Sequence, residues 1–133
     1  MIVIDASALA KVVLKEEGWE SVPLTTETAT LDYALVEALN AIWKAVIQKR
    51  LDEGDAKGRT EALKYFGKGL LLFEAKNYLG RGLEIALSEK ITVYDALYIA
   101  LAEELGVELY TSDARQFEAA KKLCRGETRP IDQ

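Results

Sequence analysis

A chain of 133 residues with a hydrophobic fraction of 50% and a net charge of −5 is long enough to bury one core, so one domain over 1–133 is expected. With one cysteine, Cys124, and no histidine, it excludes an intrachain disulfide, Cys/His zinc clusters and the Ser-His-Asp and Cys-His systems, leaving carboxylates, Lys, Ser/Thr and Tyr as catalytic groups. The longest wholly apolar run, "ALYIALA", is far shorter than the roughly 20 residues of a membrane span, and "MIVIDASALAKVVLKEEG" lacks a basic leader and a cleavage site; a cytoplasmic, soluble protein is expected, and its negative charge argues against holding nucleic acid by overall field.

The chain opens with "MIVID", a β-branched run closed by a carboxylate, followed by "ASALAKVVLKEEG", whose apolar spacing near 3.6 and final glycine predict a helix. "TTETAT" is a candidate second strand. "LDYALVEALNAIWKAVIQKRLDEG" predicts a long helix with Leu35, Leu39, Ile42, Trp43 and Val46 on one stripe, Glu37, Asn40 and Lys44 opposite, and Ala34, Ala38, Ala41 and Ala45 widening the apolar arc. "DAKGRTEALKYFGKG" reads as a shorter, basic helical segment. "NYLGRGLEIALSEK" reads as a helix despite Gly80 and Gly82, each of which costs about 1 kcal/mol relative to Ala. From Val93 to Ala102 a helix is apolar on nearly every face, stops at Gly106, and leads into "VELYTSD", a strand that ends in a carboxylate as the first does. No internal repeat, low-complexity tract or linker interrupts this order. Alternating strands and helices imply an α/β protein with a parallel sheet covered on both faces, and in such sheets ligands sit beyond the carboxyl ends of the strands.

Asp5 and Asp113 fall at those ends. Each has a structural alternative: Asp5 or Ser7 caps the first helix, and Asp113 caps the last. Thr92 and Asp95 have capping-box spacing, and Glu37 taken alone is an exposed glutamate. Taken together, two acids at strand ends, one at the head of a buried helix and one on the polar strip of a long helix could converge in one cleft. Four carboxylates brought together raise one another's pKa values unless a divalent cation binds, and an all-oxygen site suits Mg²⁺ or Mn²⁺.

The set "VIDASAL", "LVEALN", "TVYDALYIALAEELG" and "LYTSD" resembles the PIN-domain nucleases, in particular the VapC-like toxins of prokaryotic toxin–antitoxin pairs, in order across nearly the whole chain. The resemblance implies a PIN-like three-layer α/β/α fold with a central parallel sheet of four to five strands. It further implies a metal-dependent endoribonuclease that uses Mg²⁺ or Mn²⁺ to hydrolyse RNA. The positions matching the family's acidic quartet are Asp5, Glu37, Asp95 and Asp113, with Ser7, Asn40, Thr111 and Ser112 at supporting positions. It also implies a VapB-like antitoxin partner and a homodimer. Lys57, Arg59, Lys64 and Lys68, or Lys121, Lys122, Arg125 and Arg129, are candidate contacts to the RNA backbone. Tyr33, Trp43, Tyr65, Phe66 and Tyr78 are read first as core and second as partner surface. Two features depart from the family pattern: "TTETATLDYALVE" holds no proline in the turn before the glutamate helix, and only Glu118 stands near where many relatives carry a further acid. Three readings compete with the toxin: a PIN-type nuclease in RNA maturation or DNA repair without an antitoxin, a receiver-like signalling domain, and a binding module without catalysis. The receiver wants a phosphoacceptor Asp closing a central strand, whereas the mid-chain Asp52 and Asp55 lie in a polar helix end.

Overall fold

Five short strands, all parallel, form the centre of the computed structural model, which describes residues 1–123 and 129–130. The sheet order is β3-β2-β1-β4-β5, built from β1 (Ile2–Ile4), β2 (Thr28–Leu31), β3 (Leu71–Phe73), β4 (Leu109–Thr111) and β5 (Arg129–Pro130). β1 sits in the middle, with Val3 beside Ala29 of β2 on one flank and Leu109 of β4 on the other. Parallel neighbours require crossovers, and six helices supply them: α1 (Ala6–Val13), α2 (Tyr33–Ile47), α3 (Glu53–Gly69), α4 (Leu79–Glu89), α5 (Val93–Leu105) and α6 (Ala114–Leu123). α1, α2 and α3 pack on one another, while α4 and α6 flank α5, which lies against β1, β2 and β4. This is the three-layer α/β/α arrangement that the sequence implies.

The helix expected to be apolar all round is the central one. Seven consecutive residues of α5, Ala96 to Ala102, are buried among Val3, Ile4, Leu31 and Leu109 of the strands. Its ends follow local chemistry: the Thr92 hydroxyl accepts from the Asp95 N–H at 3.3 Å, and Gly106 takes the left-handed conformation (φ 68°) that ends the helix. α4 comes close to it because of Gly82, where a Cβ would stand 2.7 Å from Leu97 Cδ2. No helix among the described residues is long and apolar enough to cross a membrane.

Three expectations are corrected. The boundary between the helix read over 31–54 and the basic segment after it falls earlier: α2 closes through Lys49, at φ 60°, and α3 starts with the Asp52 carboxylate accepting from the Asp55 N–H at 2.8 Å. The basic segment is therefore not the shorter helix, since α3 has 17 residues and α2 has 15. The face that α2 buries is Ala34, Ala38, Ile42 and Ala45, not the large apolar stripe; Leu39 and Trp43 are 45% and 57% exposed, and Tyr33 and Tyr65 are exposed as well. Small side chains let α2 seat closely on α1, which turns the bulkier ones outward. Tyr78 is buried and Phe66 packs against the core, as expected of aromatics on helical faces. β3 and β5, three and two residues long, have no counterpart in the sequence reading.

Candidate active site

The carboxyl end of β1 delivers Asp5, and the parallel pairing of Ile4 with Tyr110 sets Thr111, Ser112 and Asp113 of the next strand beside it. Asp5 is 3% exposed and uses both carboxylate oxygens. Oδ1 accepts from the Ser7 hydroxyl at 2.7 Å and from the Ala8 N–H at 2.9 Å, so Asp5 is the cap of α1, and Oδ2 accepts from the Thr111 hydroxyl at 2.5 Å. Burial pushes the Asp5 carboxyl up from its ordinary value to about 6, the hydrogen bonds from Thr111, Ser7 and Ala8 oppose that rise, and the nearby Asp95 charge adds to it.

Glu37 reaches the same end of the sheet from the first turns of α2. Its Oε1 accepts from the Tyr98 hydroxyl at 2.7 Å, across a separation of 61 residues. Burial raises the Glu37 pKa, the Tyr98 hydrogen bond lowers it, and Asp95 raises it again. Tyr98 is 2% exposed; its own pKa is raised, first by burial and then by the Glu37 charge. Asp95, at the head of α5, thus acts on the Asp5 and Glu37 carboxyls alike, which places three of the four predicted acids in one electrostatic neighbourhood.

Asp113 joins the group through hydrogen bonds. Its N–H donates to Thr111 Oγ1 at 3.0 Å, and its Oδ1 accepts from the Gln116 N–H at 2.9 Å, capping α6. Ser7 links the two strand ends, since its Oγ also accepts from the Ser112 N–H at 3.1 Å. Of the other predicted residues, Asn40 is exposed and lines a shallow cavity of about 310 Å³ with Glu37, Tyr33, Val36 and Tyr94. Glu118 does not join the site; it is exposed on α6, its Oε2 3.6 Å from Lys121 Nζ. Among the basic residues, Arg59 donates to the Val13 carbonyl at 3.4 Å, Lys64 pairs with Glu61 at 3.3 Å, and Lys122 pairs with Glu89 at 3.1 Å. Cys124, Arg125 and the Arg129 side chain lie outside the described residues.

Two polar side chains that the sequence reading did not single out belong to this rim. Tyr98 lies three residues after Asp95, and a tyrosine inside an all-apolar run needs a partner for its hydroxyl, which is the signal that could have marked it. Gln116 is 0% exposed; its Nε2 donates to the Asp95 carbonyl at 3.0 Å and its Oε1 stands 3.3 Å from Thr111 Oγ1. Its signal was Asp113-x-x-Gln116, a capping-box spacing whose glutamine has turned inward.

Among the described residues no three acidic groups form a ready-made cage for a metal ion. Asp5 instead engages both carboxylate oxygens, and Glu37 and Asp113 one each, with nearby hydroxyls and amides. The donor set still fits a hard divalent cation: all ligating atoms are oxygens, and the buried charge on Asp5 is answered by neutral donors while a second acid opposes it. Chemically, such a rim can gather a divalent cation and, through it, a phosphate group.

Comparison with known proteins bears on family and fold. The family model described as PIN domain matches residues 2–123. The chain is 37% identical over 121 residues to Ribonuclease VapC3 of Pyrobaculum aerophilum, covering 88% of this chain and 92% of that protein. It superimposes with a TM-score of 0.71 on the crystal structure of PAE2754 from the same organism, at 27% identity, covering 96% of this chain and 81% of that one. A toxin–antitoxin complex from Klebsiella pneumoniae shares the fold, with a TM-score of 0.61 at 15% identity over 88% of this chain and 90% of that one.

Proposed function

The chain belongs to the PIN-domain family, and from that membership we propose that it is a divalent-metal-dependent ribonuclease acting as the toxin of a toxin–antitoxin pair. The observation that supports the reading is the hydrogen-bond network through Thr111 and Gln116 that ties Asp5, Asp113 and the Asp95 main chain to one rim beyond the strand ends. The sequence similarity to a protein named Ribonuclease VapC3 supports RNA as substrate.

Asp5, Asp95 and Asp113 would hold Mg²⁺ or Mn²⁺, and Glu37 would complete the set directly or through water. When bound, the cation supplies an acidified water and polarisation of the phosphodiester. The chain's own part is to place the charges. Ser7, Ala8 and Thr111 fix the Asp5 carboxylate in one orientation; Tyr98 holds Oε1 of Glu37; the cap of α6 fixes Asp113. Asn40, beside Glu37 in the shallow cavity, is a candidate contact to the substrate. The bound cation reverses the local sign of the field, which is how an acidic chain approaches a polyanion. Lys57, Lys64 and Lys68 on α3 are candidate backbone contacts.

A protein partner is supported by the apolar side chains that the fold leaves outside: Val36, Leu39, Trp43 and Ile47 on α2, and Leu79, Leu83 and Leu87 on α4. A VapB-like antitoxin and a second copy of the chain are the two occupants that the reading assigns to such surfaces. A fold neighbour captured as a toxin–antitoxin complex supports the first.

The test is incubation of purified protein with a mixed pool of single-stranded and structured RNAs, with Mg²⁺, with Mn²⁺ and with EDTA, beside the Asp95→Asn variant. The expected result is cutting that requires metal and falls to background in the variant, with internal fragments marking an endonuclease. Unchanged cutting by a folded Asp95→Asn protein overturns the assignment of the quartet.

A further inference from the structure

Gln116 touches the supports of three of the four acids and is itself no part of the quartet. It is fully buried at the first turn of α6. Its backbone N–H donates to the Asp113 carboxylate at 2.9 Å. Its side-chain Nε2 donates to the main-chain carbonyl of Asp95, 21 residues back, at 3.0 Å. Its Oε1 lies 3.3 Å from Thr111 Oγ1, the same hydroxyl that bonds Asp5 Oδ2 at 2.5 Å. The amide orientation follows from these partners, because exchanging O and N would set the amide oxygen against the Asp95 carbonyl. A threonine hydroxyl carries one hydrogen, and the much shorter approach to Asp5 claims it. Oε1 is therefore close-packed against Thr111, while the directional bond from this carboxamide is the one that ties the head of α5 to the head of α6.

We infer that Gln116 is a positioning residue for the cation site, a neutral spacer that sets the distance between the segments carrying Asp95 and Asp113. This rests on the metal-dependent reading above. The physical case is that Asp95 and Asp113 arrive from different elements, a helix head and a strand end, and this amide joins those two segments directly. A charged group in its place would add to the repulsion that the acids already exert on one another, and an apolar one would remove the side-chain bond between the head of α5 and the head of α6. Partners that orient the ligands of a metal typically change its affinity by about 10- to 100-fold when removed.

The experiment measures Mn²⁺ affinity by titration calorimetry, together with the metal-free melting temperature and kcat and KM for RNA. The proteins compared are the wild type, Gln116→Met, which keeps the volume and loses the amide, and Asp95→Asn as the reference for a broken site. The expected result is a folded Gln116→Met protein that binds Mn²⁺ about 10-fold or more weakly and, at fixed subsaturating metal, loses kcat with little change in KM. A Gln116→Met protein with wild-type Mn²⁺ affinity, even one with a lowered melting temperature, overturns the inference and leaves Gln116 a packing residue. Should that variant fail to fold, Gln116→Asn decides on the same criterion, since it keeps an amide one methylene too short to reach the Asp95 carbonyl. A wild type that binds no Mn²⁺ overturns the metal reading itself, and the inference with it.

Discussion

Asp5 and Glu37 are both carboxylates whose pKa values burial raises, yet they are held in opposite ways. Asp5 sits at a strand end, where the chain's own turn and the adjacent strand supply three donors, Ser7, Ala8 and Thr111. Glu37 sits on a helix and, among the described residues, is met by the hydroxyl of Tyr98 alone, from across the fold. The first anchoring is local and redundant, the second long-range and single. The contrast teaches that a strand end orients an acid almost by backbone alone, whereas an acid on a helix must have its orientation supplied by another element.

The largest effect that sharpens the contrast comes from Asp5 itself. A carboxyl moved from 3.8 to about 6 on folding binds its proton more tightly in the folded state. Its contribution to stability is therefore full below pH 4 and is lost as pH rises to about 6, a change of roughly 3 kcal/mol at 1.36 kcal/mol per unit. In metal-free protein the melting temperature should fall by about 10 °C across that window. Asp5→Asn should remove most of the slope and melt higher than wild type at pH 7, because its amide oxygen keeps the Ser7 and Ala8 bonds while Thr111 turns its hydrogen toward Gln116. The same variant should lose cleavage and any stabilisation by Mn²⁺. A melting temperature with the same pH dependence in both proteins would show that Asp5 is not a strained acid. Circular dichroism melts at several pH values, with EDTA, read this directly.

What the sequence made legible follows the same division. The Asp5, Asp95 and Asp113 ends could be read because caps, strand ends and the all-apolar character of α5 are encoded within a few residues of each acid. The buried face of α2 could not, because an alanine arc and a Leu/Trp arc lie side by side with the same period, and only the seating on α1 decides which one is covered. "LLF" of β3 is too short to show any period, and β5 is a pair of residues ending in Pro130. Tyr98 and Gln116 went unnoticed because their partners lie 61 and 21 residues away. Distance in sequence, more than subtlety of chemistry, set the limit.

The next effect tests the single anchor. Tyr98→Phe keeps the ring in the core and removes only the hydroxyl, so Glu37 loses the one hydrogen bond that lowers its pKa. A bond to a charged acceptor is worth about 1.5–3 kcal/mol, discounted here to about 1 kcal/mol because Glu37 is only partly buried. The variant should melt about 3–4 °C lower at pH 7 and by less at pH 4, where Glu37 is protonated more fully and depends less on a donor. An equal loss at both pH values would mean that the hydroxyl serves packing and not the carboxylate.

The smallest effect tests redundancy. Ser7→Ala removes one of the two donors to Asp5 Oδ1 and leaves the Ala8 N–H and the Thr111 hydroxyl in place. The Ser7 bond is one of those that lower the Asp5 pKa, so its loss should move the metal-free stability transition above about pH 6. The cost should be concentrated on the alkaline side of that transition and amount to about 0.5–1 kcal/mol, less than Tyr98→Phe because two other donors remain. The Ser112 N–H also loses its acceptor, so a small pH-independent loss should accompany it. The pH-dependent part is separated by following the Asp5 carboxyl carbon through a titration in wild type and variant. An upward shift of a few tenths of a unit fits three shared anchors, whereas a shift as large as the whole displacement from 3.8 would make Ser7 the dominant one and erase the distinction from Glu37.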